Sequence, residues 1–397
     1  MKKRILFVDD ESAMLLVYEL ALKHMAAEWQ LFFAANGVEA LQLMERTPID
    51  VVVSELCLPR MDGVQFLNEV ALRYPHTIRF VLSARFRPED VAKCINAVHQ
   101  FLRLPCDMAV LKAALVRACA LDVFASNESL KRLIGRMTTL PSLPSLYYRI
   151  LQELQSPGAP VGRIAEIVSQ DPGITVKLLQ FANSAYLGMP QRVYNLDEAI
   201  QRLGVNLVRS LALCLHTVVF FEQVQLPESL LQPRWSHWFR TGTLARTIAE
   251  VEGVDRELAD ESFMAGLLHD VGKLLLLANL ADKYEEAMRF ARSEQVQLWQ
   301  AEQRVFGATH AEVGAYLLGL WGLPVSIIEA VALHHDPAKA ATRDFSPLTA
   351  VHVANVLEYE SHPDQSAAAP PAIAVDYLRA LKLDQRLDQR RQRCSQA

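Results

Sequence analysis

One stretch of sequence decides the fold of the first third of this chain: Asp50-Val-Val-Val-Ser-Glu-Leu-Cys-Leu-Pro-Arg-Met-Asp-Gly63. Its apolar run predicts a short buried strand, which Glu55 follows. Further short apolar runs alternate with amphipathic stretches up to about residue 120, at residues 5–8, 31–34, 80–82 and 101–104. This alternation predicts a parallel sheet with helices on both faces, whose ligand chemistry lies at the carboxyl ends of the strands.

Polar residues follow the predicted strands at that edge of the sheet: Asp9, Asp10, Glu55 and Ser83. They come from three different strands, and core packing alone does not bring such side chains together. For Asp9 and Asp10 there is a simpler alternative, because acidic groups also favour the positive end of the dipole of a following helix. The residues therefore indicate an acidic pocket but leave the capping alternative open.

The same stretch is similar to the third strand and following loop of the receiver domain of two-component response regulators. Pro59, Met61, Asp62 and Gly63 stand at the usual offsets in that loop. The resemblance covers roughly residues 3–122. It implies a doubly wound, flavodoxin-like α/β domain with a five-stranded parallel sheet.

The resemblance also implies a role for each residue of the acidic pocket. It assigns the acidic pair to Asp9 and Asp10, the phosphoryl-contacting hydroxyl to Ser83, and the phospho-acceptor position to Glu55. Phosphoryl transfer to a carboxylate also needs a cation that offsets the transferred charge. In receivers a lysine supplies it just before the proline after the fifth strand, where this chain has Leu104. Phe101 stands at the aromatic switch position.

Two of the four parts of the phosphorylation site are therefore altered, which favours a pseudo-receiver. Arg103 neighbours Leu104, but the alternation of side chains along a strand predicts that it points to the opposite side. Three carboxylates in one pocket should raise one another's pKa or hold a cation. We therefore expect weak Mg²⁺ binding in this pocket and no phosphorylation of Glu55.

After about residue 124 the strand signals end and helical patterns follow. Asn195-Leu-Asp-Glu198 and Thr309-His-Ala-Glu312 predict capping boxes, and Pro324 suits the first turn of another helix. We therefore expect an all-α second half. The predicted divisions are a receiver-like domain at residues 1–122, a linker helix at 123–136, a helical domain at 137–345, and C-terminal helices with a flexible tail at 346–397.

The run Leu267-Leu-His-Asp-Val-Gly-Lys273 resembles the signature of HD-type metal-dependent phosphohydrolases. An adjacent histidine and aspartate on a helix can both reach one ion, and this donor pair suits Fe, Mn or Zn. The candidate metal ligands are His237, His269, Asp270, His310, His334 and His335. Each histidine also has a plainer explanation, as a core side chain paired to a carboxylate or as a polar helix end. Lys273 is as suited to neutralising Asp270 as to contacting a phosphate.

One further feature separates this chain from an HD hydrolase. Asn355, in Ala350-Val-His-Val-Ala-Asn355, stands where the last carboxylate ligand would be, and an amide holds a cation weakly. The chain fits better with the HDOD domain, a usually non-catalytic HD relative, over roughly residues 133–340. This resemblance rests on Leu140-Pro-Ser-Leu-Pro144, Gln170-Asp-Pro-Gly-Ile-Thr-Val-Lys-Leu-Leu-Gln-Phe-Ala-Asn-Ser-Ala185, Ala199-Ile-Gln-Arg-Leu-Gly204 and Trp321-Gly-Leu-Pro324. It argues against a bound Fe, Mn or Zn ion, which metal analysis would test.

Composition limits the partners and the compartment. The chain has 397 residues, a formal net charge of -5 and a pI near 6.1, so it has no general basic footprint for nucleic acid, and the basic run at residues 386–393 is short. No apolar stretch reaches the roughly 18 residues that a membrane-spanning helix needs, and the amino terminus does not read as a signal peptide. The six cysteines include no Cys-x-x-Cys pair. These features predict a cytoplasmic protein without a membrane partner.

The resemblances together imply a bacterial two-component or phosphorelay signalling regulator. In this hypothesis a degenerate receiver controls a non-catalytic HDOD domain that acts through contact with other signalling proteins. Residues 91–98 and 108–119, the last two predicted receiver helices, are a candidate homodimer surface. The alternative is an enzyme, either a metal-dependent HD-type phosphohydrolase or a cyclic dinucleotide phosphodiesterase.

Overall fold

A five-stranded parallel sheet organises the first 120 residues, with strand order β2-β1-β3-β4-β5. The strands are β1 (Lys3–Val8), β2 (Trp29–Ala34), β3 (Val51–Ser54), β4 (Ile78–Ser83) and β5 (Gln100–Arg103). The computed structural model describes residues 2–84, 94, 97–120, 149–150, 153, 160–183, 193–204, 208, 228–340, 344–362 and 369–386. Each predicted apolar run lies in a strand, except that β5 ends one residue before Leu104. The predicted doubly wound sheet is confirmed, and its strand order reverses at β1 and β3, whose ends carry Asp9 and Glu55.

Helices α1 (Ser12–Leu22), α2 (Gly37–Arg46), α3 (Gly63–Arg73) and α4 (Met108–Ala120) belong to this half. The start of α3 fixes the loop that follows β3. Asp62 caps α3 by accepting a hydrogen bond from the Val64 amide at 2.8 Å. At Gly63 a Cβ would lie 2.2 Å from the Glu55 carbonyl oxygen, so only glycine permits this close approach. The loop therefore holds Glu55 in a defined position.

Every regular element described between residues 160 and 386 is helical, which confirms the predicted change of fold class. The α-helices are α5 (Val161–Val168), α6 (Pro172–Asn183), α7 (Leu196–Leu203), α8 (Glu228–Val251), α9 (Arg256–Leu268), α10 (Val271–Asn279), α11 (Ala281–Glu294), α12 (Leu298–Phe306), α13 (His310–Leu320), α14 (Val325–Leu333), α15 (Pro347–Ser361) and α16 (Val375–Ala380). Short 3₁₀ turns lie at Lys23–Met25, Pro337–Lys339 and Asp384–Arg386. Helix α8 packs on α9 and α15, while α13 packs on α10 and α14.

The predicted helix starts are largely as expected. Thr309 and Glu312 form a complete capping box at α13. At α7, Asn195 accepts from the Glu198 amide at 2.8 Å, but the Glu198 side chain pairs with Arg202 instead of returning to Asn195. The predicted box is therefore only half formed. Pro324 is the N-cap of α14 rather than part of its first turn.

The two halves meet at the amino end of β5, the opposite end of the sheet from the acidic pocket. Gln180 on α6 donates its side-chain amide to the His99 carbonyl oxygen at 2.5 Å. Gln100, the first residue of β5, donates its side-chain amide to the Leu320 carbonyl oxygen at 3.2 Å. All four residues are buried. These hydrogen bonds join the sheet directly to α6 and to the end of α13.

A buried lysine occupies the same interface. Lys177 on α6 places Nζ 4.2 Å from the centre of the Trp321 ring, in a cation–π arrangement. The side chain is fully buried, and burial lowers the pKa of Lys177 to about 7. Nearby, burial also lowers the pKa of Arg79 to about 9. The interface is therefore a place where a positive charge is costly.

Some predicted segments lie outside the described residues. These are the linker helix at 123–136, the block from Leu140 to Pro144, most of the 91–98 helix and the tail beyond residue 386. Within the described part of the chain, no single helix is long and apolar enough to cross a membrane. The segments Arg256–Asn279 and Ala281–Glu294 together have the length and composition of a membrane span, but the chain bends by 119° between them.

Replacing the buried lysine should stabilise the protein in a pH-dependent way. An ordinary lysine has a pKa of about 10.4, so between about pH 7 and 10 the unfolded chain binds more protons at Lys177, and stability rises with pH. We expect Lys177→Met to raise the free energy of unfolding by roughly 1–3 kcal/mol near pH 6, with a gain that shrinks towards pH 10. Urea melts of both proteins from pH 6 to 10 measure this.

The matched control is Lys283→Met, at an exposed position on α11. We expect this variant to follow the wild-type pH dependence at a nearly constant offset. If wild type and Lys177→Met showed the same pH dependence of stability, the claim that the buried Lys177 ammonium destabilises the fold would be wrong.

Candidate metal centre and receiver pocket

The His269–Asp270 pair lies between two helices. We predicted that both residues belong to one helix, whereas His269 is the C-cap of α9 and Asp270 is the N-cap of α10. The chain turns at this junction because α10 runs on to pack against α13. Gly272 makes the packing possible, since a Cβ there would lie 1.9 Å from the His310 carbonyl oxygen. The break therefore brings the Asp270 carboxylate to the first turn of α13.

The structure brings all six predicted ligands together around Asp270. One group combines Asp270 with His310, His334 and His335, and the other combines it with His237 and His269. Within each group the potential ligand atoms lie within 4.8 Å of one another. Asp270 is the member that the two groups share. The plainer explanations are met as well, since His310 follows the Thr309 N-cap and His334 is the C-cap of α14.

Around the first oxygen of Asp270 lie the histidines of α13 and α14. His310 Nε2 is 3.1 Å from Asp270 Oδ1, and His334 Nε2 is 3.6 Å from the same oxygen. His335 Nε2 lies 3.0 Å from His310 Nε2. Three imidazole nitrogens and a carboxylate oxygen grouped in this way form a typical donor set for Fe, Mn or Zn.

Around the second oxygen lie the remaining two histidines and a lysine. His269 Nε2 is 3.3 Å and His237 Nε2 is 3.6 Å from Asp270 Oδ2. Lys273 Nζ lies 2.7 Å from the same oxygen. The predicted neutralisation of Asp270 by Lys273 is therefore present in the structure.

Among the six candidate ligands, three buried atoms have no hydrogen-bond partner in the described part of the chain: His269 Nε2, His334 Nε2 and Asp270 Oδ1. The reason lies at the other ring nitrogens. His269 Nδ1 donates to the Gly266 carbonyl at 2.7 Å, and His334 Nδ1 donates to the Val331 carbonyl at 2.8 Å. Each Nε2 therefore presents a lone pair towards Asp270, as in a histidine oriented for a metal. The residues present fit a metal ion.

Burial and charge keep most of these groups ready to ligate. Burial lowers the pKa of His269, and it lowers the pKa of His334 to about 3, so both imidazoles are neutral. Burial alone would raise the pKa of Asp270, but the Lys273 ammonium 2.7 Å away helps to hold that pKa well below its usual range. Metal ligands must be deprotonated, so no proton has to leave these three groups near neutral pH.

Two buried glutamates complete the cluster, and neither was predicted from the sequence. Glu302 Oε2 lies 2.6 Å from His310 Nδ1 and also accepts from the His310 amide at 2.8 Å. Glu358 Oε2 lies 2.5 Å from His237 Nδ1, and its other oxygen pairs with Arg240 at 2.7 Å. These contacts orient two of the histidines. The available signal was a glutamate within an apolar helical stripe, in α12 and in α15.

The cluster opens into a cavity of about 560 Å³. Its lining includes Asn355, at the position where the last carboxylate was predicted to be missing, and the cations of Arg240 and Lys273. The aromatic rings of Tyr284 and Trp299 line it as well. A ligand of this size that carries negative charge would find both a positive wall and an apolar wall.

The receiver pocket is also assembled, at the carboxyl ends of β1, β3 and β4. Glu55 Oε1 accepts from the Leu56 amide at 2.7 Å, from the Cys57 amide at 3.3 Å and from the Ser83 hydroxyl. The glutamate therefore turns back onto its own loop. It takes up the hydroxyl that was predicted to contact a transferred phosphoryl group.

The acidic pair divides into a buried and an exposed member. Asp9 accepts from the Glu11 amide at 2.9 Å and from the Tyr18 hydroxyl at 3.2 Å, and burial raises the pKa of Asp9. Asp10 is exposed. Glu11 is the N-cap of α1 and makes no side-chain capping bond, whereas Asp9 accepts the amide of that N-cap residue, so the capping alternative stays open for Asp9.

The switch positions differ in burial. Phe101 is fully buried, Leu104 is partly buried and Arg103 is exposed. The exposure of Arg103 is consistent with the prediction that its side chain points to the side opposite Leu104.

Comparison with known proteins agrees with this architecture. The family model of the response regulator receiver domain matches residues 5–116, and that of the HDOD domain matches residues 140–337. The chain is a response regulator with a receiver domain and an HDOD domain. The receiver and HDOD resemblances drawn from the sequence are thereby confirmed.

Curated relatives match parts of this response regulator. An uncharacterized protein of Treponema pallidum is 28% identical over 54% of the chain and 40% of its own length. The Regulator of RpoS of Escherichia coli is 30% identical over 39% of the chain and 46% of its own length. The chain therefore spans less than half the length of these relatives.

A solved structure is similar as well. The MmoQ response regulator from Methylococcus capsulatus is 24% identical, with a TM-score of 0.48, over 64% of this chain and 97% of its own.

We expect the receiver domain to remain unphosphorylated by acetyl phosphate in the presence of Mg²⁺. Glu55 already holds Ser83, and Leu104 supplies no cation for the transferred charge. Radiolabel incorporation measures the outcome. The positive control is the double variant Glu55→Asp/Leu104→Lys, which restores both altered parts and should take up label. Label on wild-type Glu55 would overturn the expectation.

Proposed function

We propose that this response regulator has a receiver held in one state by Glu55. Phosphorylation works by placing new acceptor oxygens and charge at a defined point. Glu55 supplies a permanent carboxylate oxygen to the Leu56 and Cys57 amides and to Ser83 without any phosphodonor. In this proposal the Mg²⁺ affinity of the pocket is weak, since burial raises the pKa of Asp9 and Asp10 is exposed to water.

We further propose that the HDOD domain holds an Fe, Mn or Zn centre. The observation that carries this proposal is the set of buried, unpartnered ligand atoms, His269 Nε2, His334 Nε2 and Asp270 Oδ1. Unpartnered buried polar atoms cost free energy, and a metal ion would satisfy all three. This departs from the sequence-based expectation that such an ion is absent.

The proposed centre serves binding rather than turnover. Asn355 lines the cavity where an HD hydrolase would place its last carboxylate. The Glu358 carboxylate nearby is already taken by His237 and Arg240. In this proposal, binding in the pocket changes the conformation of the HDOD domain, and a partner protein that contacts the domain detects the change. This agrees with the signalling role of receiver proteins.

The proposed partners are other signalling proteins, including a second copy of this chain. Helix α4 contributes exposed Val110 and Val116, each 41% exposed, to the predicted dimer surface. The other helix of that surface, residues 91–98, lies largely outside the described residues.

A second candidate function is a metal-dependent phosphodiesterase, and one observation favours it. Asp270 is shared by two ligand groups, as expected for two neighbouring metal ions. A bound metal supplies Lewis-acid activation of a phosphoryl oxygen and of water. In this candidate Lys273 and Arg240, on the cavity wall, would bind and orient the negatively charged substrate.

Metal content per chain tests the proposed centre directly. We expect near-stoichiometric Fe, Mn or Zn, by mass spectrometry, in protein purified without chelators or a histidine tag. The His269→Ala/Asp270→Ala variant should lose the metal because it removes the shared ligand and a bare Nε2. The control His24→Ala changes an exposed histidine of the receiver and should retain the metal. A metal-free, folded wild type would refute the centre.

Hydrolysis of bis(p-nitrophenyl) phosphate in Mn²⁺ separates the two candidate functions. We expect wild type to be no faster than His269→Ala/Asp270→Ala. Asn355→Asp, which restores a carboxylate to the cavity, should raise turnover about tenfold or more. Wild-type turnover that disappears in the His269→Ala/Asp270→Ala variant would instead establish the enzyme.

A further inference from the structure

Helix α13 connects the metal cluster to the receiver interface. Its first residue, His310, places Nε2 3.1 Å from Asp270 Oδ1. Its last residue, Leu320, accepts the hydrogen bond from Gln100 of the receiver. The helix has 11 residues, which corresponds to about 16 Å. One short rigid element therefore touches both places.

The receiver end of α13 is tightly fitted. Gly322, just beyond the helix, has a φ of +74°, and a Cβ there would lie 3.2 Å from the Gln100 side chain. Next to this contact, Gln180 of α6 donates to the His99 carbonyl at 2.5 Å. A change in the position of β5 therefore cannot leave the end of α13 undisturbed.

The same interface is incompletely satisfied. Lys177 Nζ, Gln180 Oε1 and Trp321 Nε1 are buried there without a hydrogen-bond partner among the described residues. Water would hydrate all three if the halves separated, and a partly satisfied buried polar set weakens the docked arrangement. Docked and released arrangements are therefore closer in free energy than the burial alone suggests.

The metal end of α13 is held by directional contacts. Glu302 accepts from both the amide and the ring of His310, at 2.8 and 2.6 Å. Gly272 of α10 packs directly on the His310 carbonyl. Metal ligation depends on distance within tenths of an ångström, so a small shift of the helix alters the ligand set.

On the receiver side, β5 also connects to the pocket of Glu55. Gln100 pairs with Phe80 in β4, and β4 ends at Ser83, whose hydroxyl donates to Glu55. The acidic pocket, β5 and α13 thus form one contiguous set of contacts.

We propose that α13 couples receiver docking to the metal centre, so that docking tightens metal binding and metal binding tightens docking. This coupling rests on the proposed metal centre, whereas hydrogen exchange at residues 310–316 tests without metal whether α13 responds to receiver docking. Coupling between two binding events is reciprocal by thermodynamic necessity. A helix that serves only as core packing would show no effect in either direction.

The test uses the full chain and Mn²⁺ alone as the probe. The double variant Gln100→Ala/Gln180→Ala removes both hydrogen bonds between the halves. Gln30→Ala is the matched control, at an exposed position of β2 on the opposite edge of the sheet. Isothermal titration gives the Mn²⁺ dissociation constant. Hydrogen exchange of residues 310–316 and 97–103 reports the two ends.

We expect the Mn²⁺ dissociation constant of the double variant to be at least about fivefold higher than that of wild type. Hydrogen exchange at residues 310–316 should also be faster. In wild type, Mn²⁺ should slow exchange at residues 97–103, and the double variant should lose this effect. Gln30→Ala should behave as wild type.

Unchanged exchange at residues 310–316 in the double variant, with faster exchange at residues 97–103, would overturn the coupling. If wild type binds no Mn²⁺, the proposed metal centre fails instead. The exchange at residues 310–316 then still decides whether α13 transmits docking.

Discussion

The helical half of this protein is arranged around one buried negative charge. Asp270 is almost completely inaccessible, and burial of an unpaired carboxylate is prohibitively costly. Lys273 Nζ and His310 Nε2 lie within 3.1 Å of its two oxygens. The compensation comes from several helices, so their packing and the state of this carboxylate are tied to each other. A metal ion, if bound, would take over a role that the protein otherwise divides among its own side chains.

Two departures from family patterns have a common physical character. Glu55 adds a methylene to the acceptor position, and its carboxylate folds back onto the Leu56 amide and Ser83. Asn355 removes a charge beside the candidate metal ligands, while Glu358, one turn along α15, is bound by His237 and Arg240. At each position, the carboxylate that the family uses for chemistry is absent, and the nearby carboxylate is bound by neighbouring side chains or amides. This is the physical basis for proposing a protein that signals by binding.

The sequence predicted much of this arrangement because its signals are local. Short apolar runs located all five strands, and the His-Asp pair with the histidines upstream and downstream of it supplied the candidate ligands that lie around Asp270. Glu302 and Glu358 were missed since a glutamate in a helix is normally solvent-exposed. The contact of Gln100 with Leu320 was beyond prediction, because it joins residues separated by 220 positions.

By itself, the sequence determined the fold class of each half, the identity of the altered receiver positions and the set of possible metal ligands. Periodicity, strand ends and motif spacing are properties of neighbouring residues, so they are readable without coordinates. Only the tertiary structure decided that the His-Asp pair lies at a helix break and that Asp270 is shared between two ligand groups. It also decided which ring nitrogens are bare. Those outcomes depend on how distant helices pack, and packing distances of a few ångström are not encoded in any local pattern.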